Sequence, residues 1–347
     1  MDAPHPALRA IVGLPLFLWI SFSVHSFIMG QDKSLLKLVQ KIPMPTVKGR
    51  LDHFGVDLEG QRLFLAALGD DQNTIEVIDL KIGKRVFSIP GQSKPQGVFY
   101  SPDFKKLFVA NGGDGTCKIF AGDGLKLIDN LLIGTDADHV GYDPATKYLY
   151  VGFGDAKSGG LAIIDTRSNK HIVDIKTDAR PGGIKIEQSR PQAFVTLAGA
   201  TKVGVVDLKN RAVVRTWPTG VQTNVALALD ERHHRLFDGV RDPAMLIVLD
   251  TESGKQVSRL EGVAGIDDLW YDALHQRIYA SGGRGFDVGF VYVYQQKDAS
   301  HYELNGKVPT APGAGTSFWS PELNRLYVAA PANGKDEAAI LVFEPQP

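Results

Sequence analysis

The chain has 347 residues, of which 44% are hydrophobic, and it contains 37 glycines and 19 prolines. This composition is that of an ordinary globular protein and excludes a disordered or disulfide-stapled chain. With 38 basic and 39 acidic residues, the net charge of −1 provides no field that would attract nucleic acid or an anionic membrane surface. The single cysteine, Cys117, excludes an internal disulfide and haem attachment through a CxxCH motif.

The first 30 residues differ in character from the rest. Arg9 precedes a run at residues 10–28 that contains no formally charged residue, which is typical of an export signal. Small residues favour cleavage after Ser26 or Gly30. An uncleaved anchor is the alternative, because a run of 19 residues approaches the length of a membrane-spanning helix. In both cases we expect the body of the protein outside the cytoplasm, with no membrane contact beyond this segment.

A short apolar strand recurs along the remaining chain. Its copies are 44, 42, 44, 43, 42 and 48 residues apart and begin at Leu63, Leu107, Leu149, Ala193, Leu236, Ile278 and Leu326. Each unit has turn residues at its junctions, room for four short strands and no room for a helix, which is the pattern of a propeller blade. The sequence therefore predicts an all-β fold, a seven-bladed β-propeller of four-stranded antiparallel blades.

The two ends of the chain predict how the ring closes. The seventh unit stops after its third strand at residues 339–343, and residues 35–42 resemble the outer strands of other units. We expect this N-terminal strand to complete the last blade and close the ring. The predicted domains are the signal at 1–30 and the propeller at 31–347, with blades at about 50–91, 92–134, 135–177, 178–220, 221–262, 263–310, and 311–347 plus 35–42.

Three stretches of sequence carry a family resemblance: LFVAN at residues 107–111, IEVIDLKIGK at 75–84 and NGGDG at 111–115. They resemble the YVTN-repeat, YncE-like family of bacterial exported seven-bladed propellers. The resemblance implies a periplasmic or secreted bacterial protein. It implies no single function, because the family is similar to propellers of quinoprotein dehydrogenases, nitrite and nitrous oxide reductases, streptogramin lyases and sugar lactonases, which share blades without sharing chemistry.

Long loops rich in Gly and Asp join the second and third strands of the units, and they predict a ligand site at the channel mouth on their face. Polar residues also recur where the innermost strands begin, ten and eleven residues before the repeated motif. The candidate ligand-binding residues are Asp52, His53, Gln96, Asp138, His139, Arg180, Asn224, Asp267, Asp268 and Thr316. Such a lining suits a small polar or cationic ligand, or a protein or peptide docked on this face. Turn capping is the structural alternative for the aspartates.

The matching Asp-His pairs of units one and three raise the question of catalysis. No third histidine occupies an equivalent position, so the sequence predicts no histidine-ringed copper cluster and no resident cofactor; a single divalent ion held with Asp52, Asp138 or Asp267 is an alternative. No nucleophile elbow or phosphate-binding loop occurs. The predicted function is therefore a binding or interaction module with no assigned catalytic residue. The alternative is a propeller enzyme of lyase, lactonase or quinoprotein-like type that uses His53 or His139, with or without a divalent metal.

Overall fold

The computed structural model describes residues 1–2, 35–69, 72–197 and 199–347. Apart from residues 1–2, the predicted export signal at 1–30 lies outside these residues and stays a prediction. The described part forms 28 strands in seven four-stranded antiparallel sheets, so the predicted seven-bladed propeller is confirmed. A search of the same residues for a helix long and apolar enough to cross a membrane finds none.

Each blade is a meander that begins at its innermost strand, except that the last blade takes its outer strand from the start of the chain. The strands of blade 1 are β2 (Arg50–Asp57), β3 (Arg62–Leu68), β4 (Asn73–Asp79) and β5 (Lys84–Ile89); of blade 2, β6 (Pro95–Ser101), β7 (Lys106–Asn111), β8 (Thr116–Ala121) and β9 (Leu127–Leu132); of blade 3, β10 (Val140–Asp143), β11 (Tyr148–Gly154), β12 (Gly159–Asp165) and β13 (Lys170–Thr177); of blade 4, β14 (Pro181–Glu187), β15 (Gln192–Leu197), β16 (Lys202–Asp207) and β17 (Ala212–Pro218). Those of blade 5 are β18 (Asn224–Asp230), β19 (Arg235–Arg241), β20 (Ala244–Asp250) and β21 (Gln256–Glu261); of blade 6, β22 (Ile266–Asp272), β23 (Arg277–Gly282), β24 (Phe290–Gln296) and β25 (Tyr302–Pro309); of blade 7, β26 (Ser317–Ser320), β27 (Arg325–Ala330), β28 (Ala339–Pro345) and β1 (Leu36–Pro43).

The N-terminal strand closes the ring as predicted. β1 pairs antiparallel with β28 from Leu36 opposite Pro345 to Pro43 opposite Ala339. Leu36 and Ile42, near its two ends, are each 1% exposed and face the core, whereas the residues between them, such as Val39 at 40%, are exposed. The first and last strands of the propeller therefore share one sheet, and the outer edge of β28 is paired rather than open.

Acidic residues that end the innermost strands stabilise the turns that follow. Asp57 accepts a hydrogen bond from the backbone N–H of Gly60 at 2.9 Å, and Asp143 accepts one from Ala145 at 2.9 Å. Lys147, the last residue of the second turn, has the left-handed φ of +63° that reverses the chain into β11. These aspartates hold Asx-type turns, so much of the repeated Asp pattern serves blade construction rather than ligand binding.

The hydrophobic core consists of layers between neighbouring blades. In each copy of the repeated motif an aromatic residue follows the first apolar residue and is buried in one of these layers. Those residues are Phe64, Phe108, Tyr150, Phe194, Phe237, Tyr279 and Tyr327, each at most 4% exposed. Fully burying a side chain of this size contributes about 1.5–3 kcal/mol. The layers fix each blade against the next and hold the innermost strands in place around the channel.

Candidate functional site

The entries of the innermost strands bring two histidines together in the channel. His53 lies in β2 of blade 1, and His139 immediately precedes β10 of blade 3. Their ring centroids are 4.4 Å apart with an interplanar angle of 58°. The two matching Asp-His pairs of the repeat are thus in contact in the channel, although a whole blade separates them in sequence.

Three carboxylates surround the His53 imidazole. Its Nδ1 lies 3.4 Å from Asp268 Oδ1, and its Nε2 lies 3.5 Å from Asp52 Oδ1 and 3.7 Å from Asp138 Oδ1. Burial alone would lower the pKa of His53, but Asp268 and Asp138 outweigh it and raise the pKa to about 9. For His139, burial and the neighbouring His53 charge lower the pKa although Asp138 opposes them. The pKa values of the two neighbouring imidazoles therefore shift in opposite directions, that of His53 upward and that of His139 downward.

Arginines at the long-loop end of the channel neutralise the buried carboxylates. Asp52, Asp138 and Asp267 are 1%, 6% and 4% exposed. The ion pairs join Arg50 to Asp52, Arg180 Nη1 to Asp138 Oδ2 at 2.6 Å, and both Arg241 and Arg284 to Asp267, the latter at 3.3 Å. Burial alone would raise the pKa values of Asp138 and Asp267. His139, His53 and Arg180 instead lower the pKa of Asp138, and Arg241 and Arg284 lower that of Asp267. The Asp-rich entries are thus charge-balanced rather than a strongly anionic mouth.

Two further candidates join neighbouring blades within this cluster. The Gln96 amide donates a hydrogen bond to the Ala137 carbonyl at 3.2 Å, and the Thr316 hydroxyl lies 3.3 Å from the Leu51 carbonyl and 3.1 Å from Asp267 Oδ2. Both side chains are buried. Their hydrogen bonds link the entries of neighbouring innermost strands, and Thr316 also contacts a carboxylate of the cluster. Gln96 and Thr316 therefore belong to the same polar cluster.

Asn224 is the one candidate that lies apart from this cluster. Its amide donates to Asp238 Oδ2 in the neighbouring strand β19, and it also contacts the Thr219 hydroxyl at 3.1 Å. Asp238 is fully buried, and its Oδ1 has no hydrogen-bond partner among the described residues. Asn224 and Asp238 therefore form a separate polar pair inside blade 5.

Asp238 makes the stability of the propeller depend on pH. Burial raises the pKa of its carboxyl to about 7, with the Asn224 hydrogen bond opposing the shift. An Asp in the unfolded chain has a pKa of about 3.9. The stability that the Asp238 carboxyl contributes is therefore fully present below that pH and is lost as the pH rises to about 7. We expect Asp238→Asn to stabilise the protein at about pH 8 by roughly 2–4 kcal/mol in urea unfolding and to flatten this pH dependence. Asp123→Asn, at an exposed position, is the control. If the free energy of unfolding of Asp238→Asn changed with pH in the same way as that of the control and of the parent protein, this role of Asp238 would be contradicted.

A cavity of ≈ 700 Å³ occupies the channel on the other side of the cluster. His53, His139 and Asp268 line one end, and the turn residues Leu58 and Pro102 line the other. Because each innermost strand runs from the long-loop face to the short turns, the cavity extends from the charged cluster toward the short-turn face. The expectation of a ligand site on the long-loop face stays a prediction, whereas this cavity lies on the short-turn side of the charged cluster.

The wall of this cavity is mainly apolar and aromatic. Trp270 and Phe318 pack edge to face with centroids 5.4 Å apart, and Phe99 stacks on Tyr142 at 4.4 Å. The side chain of Lys185 also lines the cavity, with its Nζ 4.6 Å from the centroid of the Trp270 ring. Burial lowers the pKa of Lys185, with the Asp268 charge partly opposing the shift. The cavity thus combines flat apolar surfaces with a lysine amine.

Sequence reasoning missed several of these groups. Neither Arg50 nor Arg241 is among the candidate residues, and the sequence pattern assigns no ion-pair role to Arg284, which pairs with Asp267. The available signals were local: Arg50 is two residues before Asp52, and Lys185 interrupts the apolar run Gly183-Ile184-Lys185-Ile186. A charged residue within an innermost strand is the feature that would have identified Lys185.

Comparison with known protein families and with curated proteins finds no match. Solved structures do match in fold. A chain of a mitotic checkpoint complex superposes with a TM-score of 0.73 at 14% identity, covering 99% of each chain. A chain of hydrazine synthase from Kuenenia stuttgartiensis superposes with a TM-score of 0.69 at 16% identity, covering 85% of this chain and 97% of that chain. At these identities the likeness establishes the propeller fold alone, and the YncE-like resemblance stays a prediction.

Proposed function

We propose that this protein is a binding propeller whose channel holds a small molecule with a flat apolar body and an anionic group. The observation that carries the proposal is the ≈ 700 Å³ cavity with aromatic walls and a lysine amine. Its volume falls within the range of about 300–1,000 Å³ that is common for small-molecule sites. The propeller fold also suits an interaction module, but a concave cavity of this volume favours a small ligand over a protein surface.

The aromatic side chains determine the shape of the ligand that fits. Trp270 and Phe318 belong to blades 6 and 7, whereas Phe99 and Tyr142 belong to blades 2 and 3. Two separate parts of the wall therefore present ring surfaces to the same volume. Ring pairs in offset or edge-to-face contact contribute about 0.5–1.5 kcal/mol beyond their buried area. A flat aromatic body gains these contacts, which a compact polar solute does not.

Lys185 determines the charge that the cavity selects. In the described part of the chain no carboxylate lies within ion-pair distance of its Nζ, whereas Arg50, Arg180, Arg241 and Arg284 all have carboxylate partners. Partial burial of an ammonium group is costly unless an opposite charge accompanies it. An anionic group on the ligand supplies that charge, so we favour an apolar anion over the cationic ligand suggested by the Asp-rich entries alone.

Calorimetric titration with two probes of similar shape and opposite charge tests this proposal. We expect 2-naphthoate to bind the purified protein at least about 10-fold more tightly than 2-naphthylmethylamine, since one charge-assisted contact is worth about 1.5–3 kcal/mol. Lys185→Met keeps most of the side-chain length and removes the charge, so it should weaken naphthoate binding roughly 10- to 100-fold. Lys126→Met, at an exposed turn position, is the matched control and should leave the affinity unchanged.

Two outcomes would count against the proposal. Equal affinities for the acid and the amine would show that the cavity does not select an anion. Unchanged naphthoate affinity in a folded Lys185→Met protein would show that Lys185 does not contact the anionic group.

A further inference from the structure

We propose that His53, Asp138 and His139 form a binding site for a divalent transition-metal ion at the polar end of the channel cavity. Each residue offers one ligand atom, and these atoms all lie within 4.8 Å of one another. His53 Nε2 and Asp138 Oδ1 are already 3.7 Å apart. This proposal is independent of the anion selected by Lys185, because it rests on different atoms.

Unsatisfied polar atoms are the first reason to place an ion here. Asp138 is 6% exposed, and its Oδ1 is buried without a hydrogen-bond partner in the described residues. Both ring nitrogens of His139 are likewise buried without one. A buried acceptor without a partner costs about 1–3 kcal/mol, more when the group is charged. One cation that accepts lone pairs from Asp138 Oδ1 and a ring nitrogen of His139 would satisfy two atoms that have no hydrogen-bond partner in the described residues.

The surrounding residues orient the ligand atoms as they do in known metal sites. Asp268 Oδ1 lies 3.4 Å from His53 Nδ1, the nitrogen that faces away from Asp138, and Asp268 Oδ2 accepts a hydrogen bond from the Ser317 backbone N–H at 3.0 Å. Metal-ligating histidines generally donate their second ring N–H to a carboxylate, a backbone carbonyl or water, and Asp268 is a partner of the first kind. Arg180 holds the other oxygen of Asp138 at 2.6 Å. His53 Nε2 and Asp138 Oδ1 are therefore left to face a shared ion, and binding of that ion releases the proton that the neighbouring carboxylates hold on His53.

The ligand types determine the class of ion. Two imidazoles with one carboxylate suit Zn²⁺, Co²⁺, Fe²⁺ or Ni²⁺, whereas Ca²⁺ and Mg²⁺ prefer all-oxygen sites. Three protein ligands leave at least one coordination position for water or a bound molecule. His53 and His139 both line the cavity, so this position is accessible from the volume proposed to hold the ligand.

Titration of tag-free, chelator-treated protein with Co²⁺ and Zn²⁺, followed by calorimetry and by the visible d–d absorption of Co²⁺, tests the site. We expect one equivalent to bind. His139→Ala and Asp138→Asn should each weaken binding about 100-fold or more, and the positioning variant Asp268→Asn about 10- to 100-fold. His301→Ala removes a histidine that pairs with Asp298 on the surface and should have no effect.

Thermal unfolding of each variant shows whether it is folded, and only folded variants are compared. Failure of the parent protein to bind one equivalent of either ion would overturn the proposal without reference to any variant. Binding that is unaffected by both Asp268→Asn and a folded His139→Ala would locate the ion elsewhere and would also overturn it. Naphthoate binding is measured on the same metal-free samples. A protein that binds naphthoate but no metal ion would count against the metal site alone and not against the proposed anion site.

Discussion

Deletion of residues 36–43 should abolish the cooperative unfolding transition of the propeller. The deletion removes β1, the outer strand of blade 7, and leaves the edge of β28 open to other chains. It also removes Leu36 and Ile42 from the core layers on the two sides of blade 7. Loss of each large buried side chain costs about 2–5 kcal/mol, and a whole domain is stable by only about 5–15 kcal/mol.

Two point variants in β1 compare the loss of stability at a buried position with that at an exposed position. Ile42→Ala should lower the free energy of unfolding by about 2–5 kcal/mol, whereas Val39→Ala, on the exposed side, should change it by about 0.5 kcal/mol or less. Urea unfolding monitored by circular dichroism measures both. A deletion protein that unfolds at the same urea concentration as the parent would show that β1 is a dispensable tail.

Asp267→Ala should produce the second large loss of stability. Asp267 is 4% exposed and pairs with Arg241 of blade 5 and Arg284 of blade 6, while its other oxygen lies 3.1 Å from the Thr316 hydroxyl before blade 7. Its removal leaves two partly buried guanidinium groups without their shared carboxylate. Breaking a buried ion pair from one side costs about 3–5 kcal/mol, because the remaining charge is uncompensated.

The control for this effect is a surface ion pair in the same protein. Lys297 and Glu303 are 52% and 51% exposed, so Glu303→Ala should cost no more than about 1 kcal/mol. Urea unfolding at low and high salt compares the two variants. If Asp267→Ala lowered the free energy of unfolding no more than Glu303→Ala does, the two arginines would not need Asp267 to balance their charge. The charged cluster would then contribute little to holding blades 5, 6 and 7 together.

The fold could be predicted from the sequence because each blade is built from nearly the same local pattern. The repeat fixes where Phe64, Phe108 and their equivalents are buried, and the incomplete last unit identifies the strand that closes the ring. The same repeat predicts that His53 and His139 share the channel, since equivalent positions of all blades converge on its axis. These are consequences of periodicity, which a single sequence displays.

The rest of the site depends on contacts that periodicity does not encode. Asp267 pairs with arginines from blades 5 and 6, so its charge is neutralised by residues that only the packing of these two blades brings together. Lys185 meets Trp270 from a blade that is not its neighbour in sequence. The position of the cavity depends on the size of every side chain around the channel. Departures from the repeat, such as Lys185 and Arg241, mark these places without revealing their partners.

A crystal structure of the protein with 2-naphthoate tests the central claim, that the channel cavity is a binding site for an apolar anion, most directly. The claim predicts density for the naphthalene ring between Trp270, Phe318 and the Phe99–Tyr142 pair, with the carboxylate within hydrogen-bond distance of Lys185 Nζ. Density for the ligand only on the long-loop face, above Arg50, Arg241 and Arg284, would contradict it and would favour the site that the loops alone predict.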